Sequence, residues 1–132
     1  NHMGSLFTAD QRAMSIVLTE IKSSGQLFLD SLTTSNSLIG QLGDKLNVPV
    51  VSRDVFLDDI DKEDEILRRL REVERVALNK GTAIAIGHPR VKTLRVLEKW
   101  LANLPEKKIR LAPLSAVAKT RLNRMPNDGA LN

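Results

Sequence analysis

Apolar positions recur along this chain at two spacings. Met14, Val17, Leu18 and Ile21 fall on one face of a helix. Thr8 with Gln11 offers a capping box at its start and Gly25 a stop at its end. Leu27-Phe28-Leu29-Asp30 predicts a short strand, followed by a polar loop from Ser31 to Ser37. A helix over Leu38 to Leu46 follows, weakened by Gly40 and Gly43. Val48-Pro49-Val50-Val51 leads into the next strand, and Ser52-Arg53-Asp54 marks its end. Val55-Phe56-Leu57 is a further apolar patch. Asp61 is placed to cap a long helix that ends near Lys80-Gly81 and buries Ile66, Leu70, Val73 and Ala77. Its charged face favours Asp64–Arg68 and Glu65–Arg69 pairs. Ala83-Ile84-Ala85-Ile86 reads as a buried strand. The helix over Val91 to Leu104 carries a stripe of Leu94, Leu97, Leu101 and Leu104. Ile109-Arg110-Leu111-Ala112 predicts a last strand, and Leu114 to Leu122 a last short helix.

Strands that alternate with helices imply parallel β-α units, hence an α/β fold. Right-handed crossovers then bring the strand-to-helix loops to one edge of the sheet. Those loops carry Ser31–Asn36, Arg53–Asp59 and Gly87–Arg90. The chain opens on a helix with no strand before it, so it reads as the second half of a domain, with an apolar sheet edge that predicts self-association.

Composition narrows the function classes. The 132 residues suit one core, and with aromatics at 3% and no Tyr that core is aliphatic. The absence of Cys excludes disulfides, thiolate metal sites and a cysteine nucleophile. A net charge of +4 does not point to nucleic acid, because acids are interleaved with the bases and few aromatics are available for stacking. No apolar stretch is long enough to insert into a membrane.

Gly87-His88-Pro89-Arg90 is the most informative segment. Gly87 breaks a strand and Pro89 can open a helix, which places His88 at a strand's carboxyl end, where α/β folds bind ligands. There His88 can serve as a general acid, a metal ligand or a plain helix-entry residue. Asp30-Ser31, at another strand end, can bind a sugar hydroxyl, orient a catalytic group or satisfy turn donors. Arg53 and Asp54 read as an ion pair at the rim. Asp58 and Asp59 read as loop or capping carboxylates, or as a catalytic pair. Trp100 reads as packing. His2 is too distant in sequence from His88 for a local metal motif, and Asn1-His2-Met3-Gly4-Ser5 also reads as a cloning scar.

Several of these segments, in order, resemble the divergent polysaccharide deacetylase family, within the polysaccharide deacetylase superfamily. They are Asn1-His2-Met3-Gly4-Ser5 with Thr8, Phe28-Leu29-Asp30-Ser31 with Thr33-Thr34, and Arg53-Asp54-Val55-Phe56-Leu57-Asp58. Ala83-Ile84-Ala85-Ile86-Gly87-His88-Pro89, Thr93-Leu94 and Leu111-Ala112-Pro113-Leu114-Ser115 complete the set. The resemblance implies that the first five residues are native. It implies a partial, distorted (β/α) barrel with mostly parallel strands, of which residues 1–122 form the carboxyl-terminal part; residues 123–132, a polar stretch, read as a flexible tail. It further implies a bacterial, exported or periplasmic hydrolase of carbohydrate metabolism that acts on an acylated polysaccharide or peptidoglycan-type glycan with a divalent metal, zinc first. His88 and Asp30 are then the catalytic residues, Ser31, Arg53 and Asp54 contact substrate, and His2 is a metal ligand. The family's Asp-Asp pair lies on a strand that precedes these residues, so the alternative is a non-catalytic glycan- or protein-binding module with the same fold.

Overall fold

The computed structural model describes residues 1 and 4–123. They divide into two compact units, one of Asn1–Ser52 with the segment from Pro113, the other of Arg53–Ala112.

The first unit holds helices α1 (Ser5–Thr8), α2 (Gln11–Ser23) and α3 (Ile39–Leu46), strands β1 (Phe28–Asp30) and β2 (Val50–Ser52), and a last helix over Leu114–Leu122. Asp10, not Thr8, starts α2: its carboxylate accepts from the Ala13 N–H at 2.9 Å. Thr8 is buried, and its main-chain oxygen accepts from the Leu38 N–H at 2.9 Å. The stripe read from the sequence is the one that packs. Met14 and Leu18 meet Ile39, Leu42 and Val48, with Val17 and Ile21 at the margin. β1 and β2 run parallel, with Phe28 opposite Val50 and Asp30 opposite Ser52, so both carboxyl ends lie at one edge.

Gly43 lets α3 settle on β2. A Cβ at this position would collide with the Val50 side chain and lie 3.2 Å from the Val48 carbonyl oxygen. The Gly43→Ala variant is therefore expected to lose about 1–3 kcal/mol of stability, measured as a lower urea midpoint at unchanged slope. A wild-type midpoint would contradict this packing.

The second unit holds β3 (Val55–Phe56), α4 (Glu63–Lys80), β4 (Ala85–Ile86), α5 (Val91–Ala102) and a 3-10 turn at Leu104–Glu106. β3 and β4 are parallel, Val55 opposite Ala85 and Phe56 opposite Ile86. Their core joins Val55 and Leu57 to Ile66, Leu70 and Val73 of α4 and to Val96 and Trp100 of α5. The α5 stripe differs from the expected one. Thr93, Val96 and Trp100 are buried, whereas Leu94 and Leu101 are exposed. Trp100 packs as expected, and its indole N–H donates to Glu74 Oε1 at 2.6 Å.

Other expectations give way to the packing. Lys62 rather than Asp61 precedes α4, and the Asp61 carboxylate pairs with Lys92 at 3.3 Å. The helix still opens on Glu63, Asp64 and Glu65, which suit the positive end of its dipole. Among the pairs that form instead are Glu65–Arg68 at 2.7 Å, Arg69–Asp59 at 3.0 Å and Arg69–Glu72 at 3.1 Å. Ile109–Ala112 is not a strand; Ile109 packs against the core while Leu111 stays exposed. The fold class is α/β with short parallel strands and, among the described residues, no closed barrel. No helix among them is long and apolar enough to cross a membrane. Of the expected tail, all but Asn123 lies outside the described residues.

Candidate active site

The parallel register of β3 and β4 sets the site in the second unit. Two residues past Phe56 stands Asp58, and two residues past Ile86 stands His88. Asp58 is wholly buried. Its Oδ1 lies 3.0 Å from His88 Nδ1. Its Oδ2 accepts from the His88 main-chain N–H at 2.8 Å and from the Thr93 hydroxyl at 2.8 Å. The Arg90 guanidinium donates to the Asp58 main-chain oxygen at 2.8 Å. Gly87 permits this closure, since even an ideal Cβ there would lie 3.3 Å from Leu57 Cβ and 3.5 Å from Asp58 Oδ1. The Phe56 ring stands beside the imidazole, 5.5 Å between centroids and tilted by 52°. Arg53 lies over the same Phe56 ring, 5.2 Å from its centroid.

Burial pushes the Asp58 carboxyl up. The hydrogen bonds from the His88 main chain, the Thr93 hydroxyl and the His88 ring, with the ring's charge, outweigh it and hold the group below the ordinary aspartate value of 3.8. An ionised carboxylate only accepts, so the hydrogen in the His88–Asp58 contact belongs to Nδ1. In the neutral ring the lone pair is then on Nε2. The His88 side chain is 32% exposed, and a ligand can reach it.

Asp30 and Ser31 lie at the carboxyl end of β1 in the first unit, and both are buried. Asp30 Oδ1 accepts from the Leu32 N–H at 2.8 Å, and Oδ2 accepts from the Ser37 hydroxyl at 2.7 Å. The Ser31 N–H donates to Asn1 Oδ1 at 2.8 Å. Both carboxylate oxygens of Asp30 thus organise a turn in which Leu32 takes a left-handed φ of 51°. Asp54 lies at the opposite end of β3 from Asp58. Its Oδ2 accepts from the Ile84 N–H at 2.8 Å, at the amino end of β4. The expected metal ligand His2 lies outside the described residues. Among those residues no group of three or more His, Asp or Glu side chains is arranged to hold a metal ion, so they do not by themselves fit a zinc centre, which takes at least three protein ligands.

Sequence reasoning passed over Asp58 and Thr93 as partners of His88. The one signal was the register: two apolar strands of similar make-up, each followed at the same interval by a polar residue.

The arrangement is a histidine oriented by a buried carboxylate at the carboxyl end of parallel strands. A sequence model of the divergent polysaccharide deacetylase family matches residues 1–118, and the chain belongs to that family. It is 40% identical over 106 residues to an uncharacterized protein of Haemophilus influenzae, covering 80% of this chain and 38% of that protein. It is 37% identical over 105 residues to the uncharacterized protein YibQ of Escherichia coli, covering 80% of this chain and 33% of that one. Among solved structures it is similar to the uncharacterized protein ATU2773 from Agrobacterium tumefaciens. The TM-score is 0.86 at 32% identity, over 89% of this chain and 48% of that chain. The chain thus spans less than half the length of each of these relatives.

Proposed function

We propose that this chain supplies the proton-transferring part of a hydrolase that removes acyl groups from an acylated cell-envelope glycan. The observation that supports this reading is the contact between His88 Nδ1 and the ionised, fully buried Asp58. An imidazole held in this way has a fixed tautomer and orientation and presents Nε2 to a reacting group. In amide or ester hydrolysis, a protonated Nε2 gives its proton to the departing nitrogen or oxygen as the carbon–heteroatom bond breaks. Thr93 and the His88 main-chain N–H hold the carboxylate from its other oxygen, so Asp58 cannot follow the ring if it moves. A divalent metal that engages His2, and export to the periplasm, belong to this reading as family expectations.

The test is acetate release by the full-length protein from acetylated chitin and xylan oligosaccharides, with zinc supplied and after chelation. The expected result is chelator-sensitive release that falls at least about 100-fold in His88→Ala, with thermal stability little changed. No release from any substrate with zinc present would overturn the reading, and chelator-insensitive glycan binding would then favour a binding module.

A further inference from the structure

We propose that Thr93 is a positioning residue for the His88 imidazole and that it acts through Asp58. This rests on the reading of His88 as the proton-transferring group. Two of the contacts on the Asp58 carboxylate come from His88 itself, the ring at Oδ1 and the main-chain N–H at Oδ2. They set the carboxylate relative to the turn that carries the imidazole, and the two could shift together. The Thr93 hydroxyl, 2.8 Å from Oδ2, comes from α5. It sets the same carboxylate relative to a helix that is packed into the core of the second unit.

Thr93 stands where packing alone calls for an apolar side chain. The buried positions of α5 are Thr93, Val96 and Trp100, and Thr93, 1% exposed, is the most deeply buried of them. A hydroxyl taken out of water costs free energy that a hydrogen bond must recover. A helical threonine commonly recovers it from a main-chain carbonyl in the preceding turn. Thr19 and Thr120 of this chain do so, donating to the Ser15 and Ala116 oxygens. Thr93 donates to Asp58 instead, 35 residues away in the chain. A valine, close to threonine in shape, would fill the same space without the desolvation cost, so the hydroxyl serves the carboxylate and not the packing.

The experiment labels the histidines of the full-length protein with 15N and reads the His88 ring by long-range proton–nitrogen correlation, at a pH where the ring is neutral. Loss of signals in His88→Ala assigns them. In the wild type a single sharp set with the hydrogen on Nδ1 is expected. Thr93→Val should broaden that set and add the form with the hydrogen on Nε2, and it should lower kcat by between 10- and about 100-fold with little change in KM. Thr93→Ser, which keeps the hydroxyl and loses a methyl, should restore the signals and most of the turnover. A merely structural role predicts the reverse order, with Val tolerated and Ser the worse. An unchanged His88 spectrum in Thr93→Val, turnover there within a few-fold of wild type, or no rescue by Thr93→Ser overturns the proposal. Should Thr93→Val not fold, Thr93→Ala takes its place with the same outcomes. A spectrum changed in Thr93→Val and restored in Thr93→Ser, in a protein that hydrolyses no acylated glycan, would uphold the positioning of the imidazole and remove the hydrolase reading.

Discussion

Replacing Asp58 with Asn is expected to lower turnover by about 10⁴-fold while the chain remains folded. The reasoning is atomic. Oδ2 of Asp58 accepts from two donors, the His88 N–H and the Thr93 hydroxyl, whereas Oδ1 meets only the ring nitrogen. An Asn in the same place keeps its carbonyl oxygen on the side with two donors. Its amide NH₂ then faces His88 Nδ1, and two donors cannot share one contact. The neutral ring must move its hydrogen to Nε2, so the nitrogen that exchanges protons with a ligand is the wrong one. Measured kcat together with the imidazole 15N shifts checks this. Turnover within a few-fold of wild type would mean that Asp58 serves the fold alone. Asp58→Ala differs in kind, because it leaves buried donors without an acceptor and is expected to cost about 3 kcal/mol of stability.

The same carboxylate makes the second unit acid-sensitive. The Asp58 pKa is depressed on folding, so the unfolded chain binds its proton more readily than the folded one. The stabilisation from this group is complete above the ordinary value of 3.8 and is lost as pH falls through the lower folded value. Asp59 shifts in the same direction: burial raises it, and the hydrogen bond and charge of Arg69 more than reverse that. Glu74 does likewise, with burial outweighed by Lys107 and Trp100. Urea midpoints followed downward from pH 5 should therefore fall steeply below pH 3.8. The fall should be shallower in Asp58→Asn, and parallel curves would contradict the assignment.

The second large effect is expected at Asp30. Asp30→Ala should destabilise the chain by about 1–3 kcal/mol, because it removes the buried acceptor of the Leu32 N–H and the Ser37 hydroxyl. The cost is compounded at Leu32, whose left-handed φ of 51° is tolerated because Asp30 holds that turn. Asp30→Asn should recover most of the loss, since its oxygen still accepts from Leu32 and the Ser37 hydroxyl can rotate to accept from its NH₂. Equilibrium denaturation of both variants tests this, and a wild-type midpoint for Asp30→Ala would refute the structural role. With the fold preserved in Asp30→Asn, its turnover then reports any chemical part that Asp30 plays.

The helices with a plain apolar stripe were legible because nothing polar competes for their buried face. Met14 and Leu18 of α2 and Ile66, Leu70 and Val73 of α4 fall where their spacing puts them. The α5 stripe was misread because a polar residue, Thr93, holds an inward position in order to reach Asp58. The leucines around it then looked like the buried face. Asp10 displaced Thr8 as a cap because Thr8 is drawn into the core beside Leu38. Ile109–Ala112 has strand composition but pairs with no described strand. His88 was legible from its strand-end position. Asp58 was not, because its role depends on pairing between segments thirty residues apart, which no local pattern encodes.

β3 and β4 contribute two residues each to their ladder, too few to define a register by backbone pairing alone. Carboxylates pin the pair at both extremities, Asp54 on Ile84 and Asp58 on His88. Asp54 and Asp58 are as many residues apart as Ile84 and His88, so the two rungs act as a ruler. A residue inserted into either segment cannot satisfy both rungs unless it loops out as a bulge. Insertions and deletions between these anchors should therefore uncouple the imidazole even where every side chain named here is retained.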